Sequence, residues 1–197
     1  MVSQELVEKV RTGLLLASSR TYAEQYIEPF IRQQYGLLPP TSDDHDAIGQ
    51  DTTQFEIKAS KVLKETEVEG SLLEQILRQN YTNEVDRAIP FEECTNADYL
   101  ANIQNVKRDH FDTLLYVLLF SDCVKVFSAN SLKINSNDFP NWSDKHGRYD
   151  QHGKSGQFGI NKRNIQVHLD KYLIDTFTYR DLTVVYANLS SHYEHKK

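Results

Sequence analysis

His45-Asp46-Ala47-Ile48-Gly49-Gln50-Asp51-Thr52-Thr53-Gln54-Phe55-Glu56-Ile57-Lys58-Ala59-Ser60 is the stretch on which the reading of this chain turns. From Gln54 onward polar and apolar residues alternate, with Gln54, Glu56, Lys58 and Ser60 on one side and Phe55, Ile57 and Ala59 on the other. A period of two predicts a β-strand over residues 53–60. Residues 46–49 form a shorter strand, and the polar turn between the two predicts a β-hairpin. The apolar face goes to the core, and the other presents a carboxylate beside an ammonium. Asp46, at the end of the first strand, brings a second carboxylate toward Glu56. Two carboxylates with the main-chain carbonyl of Ile57 are the oxygen donors that suit Mg²⁺, a hard cation that keeps several of its waters. A cation so placed polarises a phosphodiester and lowers the pKa of bound water, while Lys58 orients that water and stabilises developing charge. The plainer alternative is a solvent-facing strand on which Glu56 and Lys58 form a surface ion pair. Asp51 is a second candidate acid, but its odd register relative to Glu56 turns it to the opposite face of a regular strand.

Working outward, 197 residues suffice for one domain with a substantial core. A hydrophobic fraction of 39% and a charged fraction of 25% predict a soluble globular chain and exclude a disordered one. No apolar run approaches the roughly 20 residues of a membrane span, and Leu14-Leu15-Leu16, preceded by Glu5 and Glu8, is too short for a targeting signal. Cys94 and Cys123 lack metal-ligand spacing, which predicts free thiols in a reducing cytoplasm, with one disulfide as the alternative. The net charge of −6 disfavours nucleic-acid binding as an average, but the charge is polarised along the chain. Residues 141–164 hold Lys145, Arg148, Lys154, Lys162 and Arg163 against Asp144 and Asp150, whereas residues 65–98 are acid-rich. The basic segment is a local footprint of the kind phosphates attract.

In chain order, helical spacing of Leu6, Val7, Val10, Leu14 and Ala17 predicts a helix over residues 3–18. A second helix is expected from about Tyr22 to Tyr35, with Tyr26, Ile27, Phe30 and Ile31 inward, Pro29 marking a kink or fresh start, and Gly36 ending it. Leu72, Leu73, Ile76 and Leu77 have helical spacing, and residues 79–106 read as irregular. The near-continuous apolar run at 111–120 predicts a strand buried on both faces, paired with Val124-Lys125-Val126-Phe127. A long polar loop is expected over 128–159, a strand over 160–168, a short helix over 169–176 and a last strand at Val184-Val185-Tyr186. The fold class is therefore α/β, with a central mixed sheet flanked by helices.

Asp46 with Glu56-Ile57-Lys58 resembles the PD-(D/E)xK nuclease motif, with His45 in place of the nominal proline. More closely, His45-Asp46-Ala47-Ile48 followed by Gln54-Phe55-Glu56-Ile57-Lys58 is similar to the active-site hairpin of the PvuII-type restriction endonucleases. The similarity continues in Val106-Lys107 and the strand pair 113–127. It extends to Gly159-Ile160-Asn161-Lys162-Arg163-Asn164-Ile165, which resembles the asparagine-bearing recognition segment of that family. The histidine cluster that follows the catalytic strand in that family is missing, and an acidic stretch over 65–105 stands there instead. The resemblance implies a restriction-endonuclease-like core over residues 1–197, with a catalytic hairpin at about 46–60 and a recognition segment at about 141–168. It further implies a homodimeric, Mg²⁺-dependent type II restriction enzyme hydrolysing phosphodiester bonds at a palindromic site in double-stranded DNA, since twofold protein symmetry matches twofold DNA symmetry. Rival readings are a repair or junction-resolving nuclease with the same motif, and a non-catalytic DNA-binding protein.

On that resemblance Asp46, Glu56 and Lys58 are the catalytic residues and Asp46, Glu56 and Ile57 the metal ligands. Asn161, Lys162, Arg163 and Asn164 are expected to read base edges, with a solvated turn as the alternative. Lys145, Arg148, His152 and Lys154 are expected at phosphates. Ser19, Arg20 and Thr21, at a helix start, are expected at the DNA backbone or minor groove, with helix capping as the alternative. Asn80, Thr82 and Asn83 are candidates for the role of the missing histidines, and Glu24 and Glu28 for support of the metal site from the second helix.

Overall fold

The chain begins with α1 (Gln4–Leu16), whose cap Ser3 accepts a hydrogen bond at Oγ from the Leu6 N–H at 3.2 Å. It buries Val7, Leu14 and Leu15. The second helical segment changes pitch. Thr21–Ile27 is a π-helix that runs into α2 (Glu28–Tyr35), so Pro29 falls in the first turn of α2, where its missing N–H costs little. Gly36, at φ 62°, ends the segment in the left-handed conformation that glycine tolerates. The wider π-turn shifts the inward face: Tyr22, Ile27, Phe30 and Ile31 are buried, while Tyr26, expected inward, is 40% exposed. The computed structural model describes residues 2–65, 73–74, 84–135, 137, 139–144 and 155–194.

The hairpin follows as β1 (Ala47–Ile48) and β2 (Gln54–Lys61), paired antiparallel with Ala47 opposite Phe55 and Ile48 opposite Gln54. Next come a single helical turn, α3 (Glu84–Arg87), then β3 (Ala101–Val106), β4 (Thr113–Leu119) and β5 (Cys123–Asn130). The chain continues through β6 (Trp142–Ser143), β7 (Gly156–Ile160), α4 (Ile165–Lys171), β8 (Leu173–Thr178) and α5 (Tyr179–Glu194). A five-stranded mixed sheet runs β1-β2-β4-β5-β8, and a three-stranded antiparallel sheet runs β3-β7-β6. Among the described residues only β2 and β4 pair in parallel, and a parallel pair needs a long crossover. That crossover is the segment carrying α3 and β3. The fold class is α/β, as the alternation of elements predicts.

The large sheet separates two hydrophobic clusters. One contains Leu114, Tyr116, Leu118 and Phe127 with Ile103, Trp142, Phe158 and Ile165, and so lies between the two sheets. The other contains Ile57, Leu115, Val117 and Val126 with Val7, Leu14, Phe30, Ile31 and Leu182, and so lies under α1, α2 and α5. Six of the seven residues of β4 are buried, the outcome that its apolar run predicts.

Four expectations are corrected. Residues 79–106, read as irregular, contain β3, which pairs with β7 rather than standing as loop. The expected loop 128–159 holds the β6–β7 pair. The order of the next two elements is reversed: residues 165–171 are helix and 173–178 are strand. Val184, Val185 and Tyr186, read as a last strand, lie inside α5, where Tyr179, Leu182 and Tyr186 at helical spacing pack on the helical cluster. Of the predicted helix around Leu72, Leu73, Ile76 and Leu77, only residues 73 and 74 are described, and these are helical. Among the described residues no helix is long and apolar enough to cross a membrane.

Candidate active site

The turn of the hairpin is fixed by its own residues. Gly49 N–H donates to the Thr53 carbonyl at 2.8 Å, and Asp51 Oδ1 accepts from Thr53 N–H at 3.1 Å. Asp51 thus caps the exposed tip, away from Glu56. At the other end the Asp46 N–H donates to the Phe55 carbonyl at 2.9 Å, and there β1 stops. The Asp46 carboxylate takes over from the ladder: its Oδ2 accepts the Ile57 N–H at 2.7 Å. In an extended strand the N–H and C=O of one residue face the same neighbour. The Ile57 carbonyl therefore lies on the Asp46 edge, between the last β1 pairing and the Ala59 carbonyl, which accepts the Tyr22 hydroxyl at 3.3 Å.

Three charges meet at this edge. The Lys58 ammonium pairs with Glu56 and lies 3.5 Å from Asp46 Oδ2, so both carboxylates converge on one cation. Glu56 is 7% exposed. Burial raises its pKa, the Asp46 charge raises it further, and Lys58 opposes both. Burial by itself lowers the Lys58 pKa, but the Glu56 and Asp46 carboxylates outweigh it and raise it above the usual lysine value. A fourth group joins from α2. Half-buried Glu28 is pushed up to about 7, first by burial and then by the Asp46 charge, with Arg32 and Lys58 opposing. Arg32 also donates to the Asp46 carbonyl at 3.4 Å, which ties α2 to the hairpin. His45, beside Asp46, is buried, with Nδ1 3.4 Å from Ser42 Oγ and Nε2 without a protein partner among the described residues.

The donor set fits a hard divalent cation. Two carboxylates already gather around a positive charge, one of them is buried at a cost that a dication relieves, and a main-chain carbonyl faces the same edge. Among the described residues no group of three or more His, Cys, Asp or Glu side chains has the spacing of a fully protein-built metal cage.

The remaining candidates are distributed differently from the expectation. Asn164 is buried, its amide donating to the Gly159 carbonyl at 2.8 Å and its Oδ1 accepting the Asn161 N–H at 2.8 Å. It holds the turn together and has no free edge for a base. Asn161 Oδ1 accepts the Arg163 N–H at 2.9 Å, Lys162 is paired with Asp98 at 2.6 Å, and Arg163 is exposed. Ser18, not Ser19, caps the second helical segment, its Oγ accepting the Thr21 N–H at 3.3 Å and lying 2.8 Å from Thr21 Oγ1. Exposed Arg20 pairs with Glu24 at 3.1 Å, which leaves Glu28 as the acid of that helix nearest the site. Ser19 lines a polar cavity of about 320 Å³ with Tyr22, Ser60, Lys61, Arg87 and Asn102. Lys145, Arg148, His152 and Lys154, and Asn80, Thr82 and Asn83, lie outside the described residues. Two contacts had no sequence signal. Asp112 grips the start of β2, its Oδ2 accepting the Gln54 N–H at 2.9 Å and its own N–H donating to the Gln54 carbonyl at 3.0 Å. The Asn102 N–H donates to Ser60 Oγ at 3.1 Å, joining β3 to the face of β2 that carries Glu56 and Lys58.

No protein-family model matches this chain, and no curated protein matches it in sequence.

Proposed function

We propose that the protein is a divalent-cation-dependent DNA endonuclease of restriction type. The observation that carries this reading is the convergence of Asp46 and Glu56 on the Lys58 ammonium across a hairpin whose ladder ends at Asp46. Surface ion pairs on strands are common, but a pair with one partner 7% exposed and a second carboxylate fixed by a backbone N–H is a costly arrangement without a ligand. On this reading Asp46, Glu56 and the Ile57 carbonyl hold Mg²⁺, which supplies charge neutralisation at a scissile phosphate and an acidified water. Asp46 keeps its carboxylate aimed by accepting the Ile57 N–H. Lys58, released from its two carboxylates, holds the attacking water and donates to the phosphate. Glu28 is the nearby group able to take up a proton near neutrality. The acting species is a homodimer, each subunit serving one strand of a palindromic duplex.

The test is incubation of the protein with plasmid DNA with and without Mg²⁺, followed by sequencing of the fragment ends. Discrete fragments are expected only with the metal. Glu56→Ala abolishes cleavage, and Lys58→Ala lowers its rate by about 10²–10³-fold, as for loss of one charge-stabilising donor. Full cleavage by Glu56→Ala would sink the reading.

A further inference from the structure

The three-stranded sheet has one face in the core and one face outside. Inward are Ala101, Ile103, Trp142, Phe158 and Ile160. The register settles what faces the other way: Asn102 stands opposite Gly159, and Ser143 stands opposite Gln157. Gln104, which is exposed, lies with Asn105 in the bulge between Ile103 and Val106, where Asn105 takes φ 56°. In a chain whose residues are 25% charged, the strand residues of this outward face are Asn102, Gln104, Gln157, Ser143 and Gly159, none of them charged, with the exposed Leu100 side chain lying over Gly159. Among the described residues the side-chain amides of Asn102, Gln104 and Gln157 are engaged by no other protein group.

We infer that this face, with Asn102 and Gln104 on β3 and Gln157 on β7, reads base edges in the DNA major groove, adenines above all. The inference rests on the nuclease reading and names how the same site selects its substrate. Side-chain amides pair bidentately with adenine N6 and N7, and the major groove admits a two-stranded β-ribbon of the kind that β3 and β7 form. Cations sit just beyond both ends of the ribbon. Arg163 follows β7, and Lys107 follows β3, at opposite ends because the strands are antiparallel. They are placed for phosphates, which position a protein without specifying sequence. The ribbon is attached to the chemistry through the Asn102 N–H to Ser60 Oγ bond, two residues along β2 from Lys58.

The test uses the whole chain with Mg²⁺ on a plasmid library carrying a randomised duplex, with fragment ends sequenced for the wild type and for Gln104→Ala, Gln157→Ala and their double variant. Both substitutions lie on an outward face and leave the inward packing intact. Thermal unfolding checks that each variant folds. The wild type is expected to return a motif containing A·T pairs. Each single variant lowers the preference for one of those pairs by about 10- to 100-fold, the discrimination that one bidentate contact supplies. Competition binding of the recovered motif against scrambled duplex, with Ca²⁺ replacing Mg²⁺, gives a second readout of the same ratio. If folded variants return the wild-type motif with undiminished preference, this inference falls and the nuclease reading stands. If the wild type neither cuts nor prefers any duplex, both fall together.

Discussion

Glu28 shows how one residue's environment is set by groups distant in sequence. Burial and the charge of Asp46 hold its carboxyl at about 7 in the folded chain, against an ordinary value of 4.5. The folded chain therefore binds this proton more tightly than the unfolded chain. Between about pH 4.5 and 7 its contribution to stability falls as pH rises, and it is fully lost above the folded value. Glu28→Gln in metal-free buffer is expected to be more stable than the wild type at pH 8, by on the order of 1 kcal/mol after solvent screening. The difference closes toward pH 4.5. Urea unfolding at the two pH values measures it, and a variant less stable than the wild type at pH 8 would contradict the assignment. Nothing in the sequence isolates Glu28 from Glu24 on the same helix, because the distinction is the nearness of Asp46, a tertiary fact. Glu56, Lys58 and Asp46 were legible because hairpin alternation and a ten-residue interval already bring them to one edge.

At the scale of elements, the β6–β7 pair depends on an absent side chain. A Cβ on Gly156 would stand 2.1 Å from the Trp142 ring and 2.8 Å from the Ser143 carbonyl, so the indole lies directly against backbone. The ring is held on its other sides by its Nε1–H donating to Asp144 Oδ1 at 2.7 Å and by the Arg108 guanidinium 5.2 Å from its centroid. Gly156→Ala is expected to cost about 1–3 kcal/mol, as for overpacking, and to shift the emission of the sole tryptophan to longer wavelength. An unchanged emission maximum and midpoint would show that the pair relaxes around a methyl group. The same sheet explains what the sequence concealed. The apolar run of β4 announces a strand buried on both faces, whereas Ala101-Asn102-Ile103-Gln104-Asn105-Val106 is rich in residues of low β propensity. It is a strand because β7 pairs with it, and pairing across more than fifty residues leaves no local mark. In α5, β-branched Val184 and Val185 suggested a strand, but packing of Tyr179, Leu182 and Tyr186 on the helical core overrides propensity.

At the scale of the molecule, one strand unites two cores. Leu114, Tyr116 and Leu118 of β4 point into the cluster between the sheets, and Leu115, Val117 and Leu119 point into the cluster beneath the helices. Neither cluster loses β4 without exposing the other. Unfolding in urea is expected to give superimposable transitions by Trp142 fluorescence, which reports the inter-sheet core, and by far-ultraviolet circular dichroism, which is weighted to the helices. Separate midpoints would show that the two cores melt independently. The Asn102 to Ser60 hydrogen bond has a consequence at this scale too. It ties the small sheet to β2, the strand that carries Glu56 and Lys58. On the nuclease reading, the offset between the bases inspected and the bond broken is then machined into the fold. Substitutions that blur which sequences are accepted should leave the cut at a constant distance from them.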